Sequence, residues 1–158
     1  MRERDPGTLI VAGGTDLLGR SRVGNWPWTS IILLTSIPEL GVIENRKGAI
    51  RIGACVTHTS ISSANIIRTH MPALASAAES IGAPAIRNMG TIGGNLVNAS
   101  PAADLPPALL ALGASVRLIS TRGARDVPLE HFYTSYQKTV LATDEILSHV
   151  IIRIPEDD

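Results

Sequence analysis

The sequence predicts an α+β domain. Strands and helices mix along the chain, with no regular strand–helix alternation after residue 45, which argues against a doubly wound parallel sheet. Glu145–Pro155 closes the chain with clear period-two patterning, Val150, Ile152 and Ile154 on one side against Ile151 and Arg153 on the other. At 158 residues, with 44% hydrophobic and 18% charged residues, the chain is an ordinary globular sequence with enough length for one core. Only Trp26, Trp28, Phe132, Tyr133 and Tyr136 are aromatic, so that core must be aliphatic and alanine-rich.

Each element follows from its residues. Thr8–Ala12 is a β-branched apolar run that stops at Gly13-Gly14, which reads as a buried strand ending in a glycine turn. Thr15 or Asp16 suits the cap of a following helical turn. Arg20–Trp28 is polar, is broken by Gly24 and Pro27, and reads as loop. Ile31–Leu34 reads as a second buried strand. Gly41–Glu44 and Ala49–Ala54 flank Asn45-Arg46-Lys47-Gly48, a hairpin signal that puts Ile50 and Ile52 on one face and Arg51 on the other. Thr57–Ile67 predicts a short capped helix. Pro72 to about Ile81 predicts a better one, alanine-rich and stopped by Gly82. Gly82–Pro101, with Pro84, Gly90, Gly93, Gly94 and Pro101, reads as a long ordered loop of functional character. Asp104 then caps a helix with Pro106 and Pro107 in its first turn, running to Leu112. Ser115–Ser120 is a strand, Arg122-Gly123 a turn, Val127–Leu129 extended, and Glu130–Tyr136 a short helix or turn.

Several function classes are disfavoured at once. Fourteen basic residues balance fourteen acidic ones, so no field for nucleic acid or an anionic membrane is expected. The single cysteine, Cys55, excludes an internal disulfide, a multi-thiolate zinc site and a four-cysteine iron–sulfur cluster within this chain. It reads as a buried small hydrophobe. His58, His70, His131 and His149 are scattered without a metal-binding motif. The charged start MRERDPGT lacks a signal-peptide run, and the longest apolar stretches are strand-sized, so no membrane span is expected and a cytoplasmic location is the default.

Two glycine loops carry the chemistry. In Ala12-Gly13-Gly14-Thr15-Asp16-Leu17, glycines let backbone N–H groups converge, and a helical turn points more of them at the same spot. That suits an anion, although a glycine pair after a strand is also an ordinary turn, and the spacing matches neither the Rossmann nor the P-loop pattern. Arg87-Asn88-Met89-Gly90-Thr91-Ile92-Gly93-Gly94-Asn95 repeats the recipe. Arg87 also reads as a surface charge or ion-pair partner, Asn95 as a turn residue and Asp104 as a helix cap. A diphosphate held between the two loops, hence a dinucleotide-like cofactor, accounts for both.

These strings resemble a known family. Val11–Leu17 is similar to the first flavin-binding loop of the FAD-binding subunit of molybdenum hydroxylases, the carbon monoxide dehydrogenase and xanthine dehydrogenase group. Ile86–Leu96 resembles the second loop, Ser100–Leu105 the segment after it, and Arg51–Ala54, Glu145–Leu147 and Ile154-Pro155 fit in the same order. The resemblance implies an FAD-binding fold of the PCMH/vanillyl-alcohol-oxidase type in two α+β subdomains. The small first one covers about residues 1–44 and the antiparallel-sheet one about 45–158. It implies that Ile10, Val11, Ala12, Gly13, Gly14, Thr15, Asp16 and Leu17 form the first cofactor-binding stretch, with Ala12–Asp16 cradling the diphosphate through N–H groups. Thr91, Ile92, Gly93, Gly94 and Asn95 form the second, and Asp104, Leu147 and the apolar Ile81 complete the pocket.

The same resemblance implies a role. An iron–sulfur subunit and a molybdenum-cofactor subunit would be the partners, and the flavin would pass electrons to NAD or another acceptor. No catalytic side chain is required, because the redox chemistry belongs to FAD. Against the family, the first loop lies unusually near the N-terminus and no further C-terminal domain follows, so the first subdomain is expected to be incomplete. An assembly module that keeps the fold without the flavin is the alternative. A sugar-nucleotide reductase on a related fold would need a catalytic acid and a substrate domain that the sequence does not offer.

Overall fold

The computed structural model describes residues 7–17 and 27–154. The loop expected over 20–28 lies almost wholly outside the described residues, as does Pro155. Strand β1 (Thr8–Val11) pairs in parallel with β2 (Ser30–Leu33), Leu9 opposite Ile31 and Val11 opposite Leu33. The Thr8 and Ser30 hydroxyls share a 2.7 Å hydrogen bond at the start of the pair. The expectation of a buried second strand is corrected here: all four residues of β2 are exposed, Ile31, Ile32 and Leu33 to about half their surface. Only the last residue of that apolar run, Leu34, turns inward, at the head of a 3-10 turn, where it packs with Leu40 and Cys55.

The main body is a five-stranded, fully antiparallel sheet of order β3-β4-β9-β5-β6. Strands β3 (Ile43–Arg46) and β4 (Ala49–Gly53) form the predicted hairpin. Its turn is tighter than Asn45–Gly48: only Lys47 and Gly48 lie outside the strands, both at positive φ (51° and 73°), the geometry whose twist suits a two-residue hairpin. Strands β5 (Ser115–Ser120), β6 (Gly123–Pro128) and β9 (Ile146–Arg153) complete the sheet. A small hairpin, β7 (Tyr133–Ser135) with β8 (Lys138–Thr139), stands apart; it and a 3-10 turn at Leu129–His131 replace the helix considered for 130–136. Alternation puts Ile50, Ile52, Val116, Leu118, Val150 and Ile152 on the inner face, all fully buried.

Among the short helices that follow, five pack into the core on that face, and Pro84–Met89, which has no buried residue, packs against His58–Ser63 instead. The helices are α1 (His58–Ser63), α2 (Asn65–His70), α3 (Pro72–Ser80), α4 (Pro84–Met89), α5 (Ile92–Asn98) and α6 (Leu105–Ala111). Ile61, Ile67, Leu74, Ile92, Leu96, Leu105 and Leu109 join the sheet residues in one cluster. Complete burial of such a side chain stabilises by roughly 1.5–3 kcal/mol. Two expectations change. The helix expected over 57–67 is two helices, because Ala64 takes an extended conformation (φ −65°, ψ 121°) between them. The stretch 82–101 is no long loop: it holds α4 and α5, separated only by Gly90 and Thr91. Neither helix runs beyond two turns, too short for a periodic pattern to appear in sequence.

Candidate functional site

The first glycine loop leaves the carboxyl end of β1, and residues 15–17 are helical. Gly14 sits at φ +69°, which glycine adopts at little cost. The amides of Gly13 and Gly14 have no acceptor among the described residues. Gly13 packs directly on the second loop. A Cβ there would overlap the Met89 carbonyl and come within 3.0 Å of Gly90 Cα. The two loops therefore touch backbone to backbone.

The second loop is built on the N-terminus of α5. Thr91 is the N-cap, its Oγ1 accepting the Gly94 N–H at 3.2 Å. The Ile92 amide donates to the Val56 carbonyl at 3.0 Å, the Gly93 amide to the Ala54 carbonyl at 2.9 Å, and the Asn95 amide to the Thr91 carbonyl at 2.9 Å. The second loop thus does not repeat the first: the amides of Ile92, Gly93, Gly94 and Asn95 are used within the protein, and what these residues offer a ligand is close approach and side chains. The glycine pair is divided in the same way. A Cβ on Gly93 would fall 2.6 Å from Ala54 Cβ, so this glycine serves packing between α5 and the segment after β4. A Cβ on Gly94 would meet only Thr91 Oγ1, at 3.1 Å.

The loops line a cavity of about 600 Å³. Ile10, Val11, Ala12, Gly13, Gly14, Thr15, Asp16 and Leu17 form one wall, and Ile81, Thr91, Gly94, Asn95 and Asp104 the other. A second, apolar cavity of about 260 Å³ holds Gly93 and Leu147, with Leu34, Ala54 and Leu141. Leu9, Ile10, Ala12, Gly94 and Val97 border both, so the two adjoin. Ile92 lines neither; its side chain is fully buried in the core. Asp104 faces the cavity and its carboxylate makes no capping bond to α6. Arg87 is structural here. Its Nη1 donates to the carbonyls of Ile81 (3.1 Å) and Gly82 (2.8 Å), fixing the end of α3 where Ile81 meets the cavity.

Also lining the larger cavity are Ile86 and Gly90 of the second loop, Ser100, Ala102 and Ala103 of the segment after it, and two residues missed in the sequence, His58 and Asn98. Nothing in their spacing marks them, since His58 reaches the site only through contact of α1 with Gly90. Glu145 borders the apolar cavity. Its carboxylate takes a fork of two bonds from Arg125 (2.7 and 2.8 Å) and one from the Ala142 amide (2.9 Å). Those bonds, Arg125 first, hold its pKa down to about 2. Cys55 is buried, and burial pushes its thiol pKa up, so it is no reactive thiol.

The family described as the FAD binding domain in molybdopterin dehydrogenase matches residues 1–156. The chain belongs to this family. It is 38% identical over 157 residues to the nicotinate dehydrogenase FAD-subunit of Eubacterium barkeri, covering 97% of this chain and 53% of that protein. It is 38% identical over 144 residues to the xanthine dehydrogenase FAD-binding subunit of Escherichia coli O157:H7, covering 90% and 49%. Among solved structures, carbon monoxide dehydrogenase from Hydrogenophaga pseudoflava superposes with a TM-score of 0.89 at 29% identity, covering 96% of this chain and 53% of that one. The chain spans about half the length of the curated relatives it matches.

The fold is therefore the α+β fold of these FAD-binding domains, and FAD is the family's cofactor. The residues present fit that group. A dinucleotide needs a charged middle and room for flat rings, and the larger cavity, with glycine amides that have no acceptor among the described residues, adjoins a smaller apolar one. Asn95 Oδ1 is buried without a hydrogen-bond partner among the described residues, an atom that a ligand hydroxyl or amine would satisfy. No helix among the described residues is long and apolar enough to cross a membrane.

Proposed function

We propose that this chain is the FAD-binding, electron-transferring part of a cytoplasmic molybdenum hydroxylase complex. Electrons would arrive from iron–sulfur clusters of a partner subunit, beside a molybdenum-cofactor subunit that oxidises the substrate, and leave to NAD or another acceptor. The observation that carries the reading is the backbone contact of the two glycine loops at one cavity, where the Gly13 and Gly14 amides have no acceptor among the described residues. Bound FAD supplies one- and two-electron exchange, and that chemistry is its own. Ala12–Asp16 would hold the diphosphate, Gly94 would let the cofactor lie against α5, and Asn95, Asp104, Ile81 and Leu147 would fix its polar and apolar parts. The remaining residues of the proposed set, Ile10, Val11, Leu17, Thr91, Ile92 and Gly93, shape the two loops, Ile92 from within the core. A division near residue 44 into a small and a larger subdomain goes with this reading and is supported by the separate parallel and antiparallel sheets.

The sequence supports the division of labour. With Cys55 as their single cysteine, these 158 residues cannot supply four thiolates to a cluster, so electrons would reach the flavin from clusters held outside this domain. The test is direct. Folded protein offered excess FAD should retain a flavin absorbance band and quench flavin fluorescence. Retention of partner subunits without any flavin would instead identify an assembly module and sink the electron-transfer reading.

A further inference from the structure

His58 stands outside the cofactor residues assigned above, yet it borders the larger cavity while only 3% exposed. It is the first residue of α1, and its amide donates to the Gly90 carbonyl at 3.1 Å. Its ring lies over Gly90, where a Cβ would fall 2.9 Å from both Cδ2 and Nε2. Gly90 in turn packs on Gly13, so the imidazole edge sits where the two glycine loops meet.

We infer that His58 is a further binding residue, giving the phosphate-bearing stretch of FAD a hydrogen bond from Nε2–H at the junction of the two loops. The inference rests on the FAD reading above. Nδ1 is buried and has no hydrogen-bond partner among the described residues. A neutral imidazole carries one N–H, and orphaned buried N–H groups are rarer than under-satisfied acceptors, so the proton belongs on Nε2. The ring is neutral near pH 7: burial pulls its pKa down to about 4, against the opposing pull of Asp104. The phosphate oxygens are acceptors only, so a donor is what this wall of the cavity can usefully add.

Titration of the flavin-free chain with FAD, followed by fluorescence quenching, tests this. His58→Phe fills the ring's space without a donor and should weaken binding about tenfold or more, while His58→Gln restores an N–H and most of the affinity. Because His58 is buried, a second measurement uses the unaltered protein. In nitrogen-15 spectra of labelled histidines, His58 should carry its proton on Nε2 and shift on FAD addition, while exposed His131 stays still. A folded His58→Phe protein that binds FAD as tightly as the parent overturns the assignment, as do His58 signals unmoved at saturation. A chain that takes up no FAD at all overturns the FAD reading together with it.

Discussion

At the scale of single residues, the two adjacent glycines of α5 separate binding from folding. Gly94→Val places its side chain against Thr91 Oγ1 and into the cavity, so FAD retention should fall sharply with the fold intact. Gly93→Val drives a branched side chain into Ala54, where overpacking costs about 1–3 kcal/mol or more. Circular-dichroism melts and flavin fluorescence on both variants check the pair. Equal loss of stability in both would mean that Gly94 too is a packing residue. The sequence shows the glycine pair but not its division, because what separates the two is the position of Ala54, on another segment of the chain. His58 was hidden for the same reason: its neighbours Gly90 and Asp104 are brought to it by the fold.

At the scale of elements, legibility followed local signal. The hairpin β3–β4, strand β5, helix α3 and the alternation of β9 rest on turn residues and periodicity, and the structure holds them close to their expected places. Helices α4 and α5 escaped because each is short: α4 starts at Pro84 without a side-chain cap, and α5 is held by its Thr91 cap and by core packing rather than by propensity. Strand β2 misled because an apolar, β-branched run states what a strand is made of and not what covers it. One element depends on charge. The Arg125–Glu145 fork joins β6 to the start of β9 beside the apolar cavity. The folded-state carboxyl titrates near 2 against an ordinary value of 4.5. Its stabilisation is therefore complete above about pH 4.5 and lost as pH falls towards 2. Glu145→Gln should lower the melting midpoint at pH 6 and flatten its decline in acid, so that variant and parent converge near pH 2.5. Melting curves that stay parallel down to that pH would show that the fork contributes nothing to the titration.

At the scale of the whole molecule, the cavity is lined from two separate sheets, a smaller and a larger body of structure. The parallel pair β1–β2 supplies the first loop, and the antiparallel sheet with its helices supplies the second. Where the loops meet, the contact is glycine against backbone, which buries little apolar side-chain surface. A ligand seated across both should therefore act as a strut between them, and its binding energy adds to folding by mass action. FAD at a hundredfold excess over its dissociation constant contributes about 2.7 kcal/mol, and about 2–4 °C of melting shift per kcal/mol is usual at this chain length. A rise of roughly 5–10 °C on FAD addition is thus expected for the parent chain, growing with the logarithm of FAD concentration. Gly94→Val should lose most of that rise, whereas Gly93→Val should start lower and keep it if its cavity survives. Hydrogen exchange sharpens the test, because the strut predicts slowed exchange in both bodies, at β1 and at α5. A melting shift with protection confined to α5 would place FAD on the larger body alone and refute the bridging arrangement.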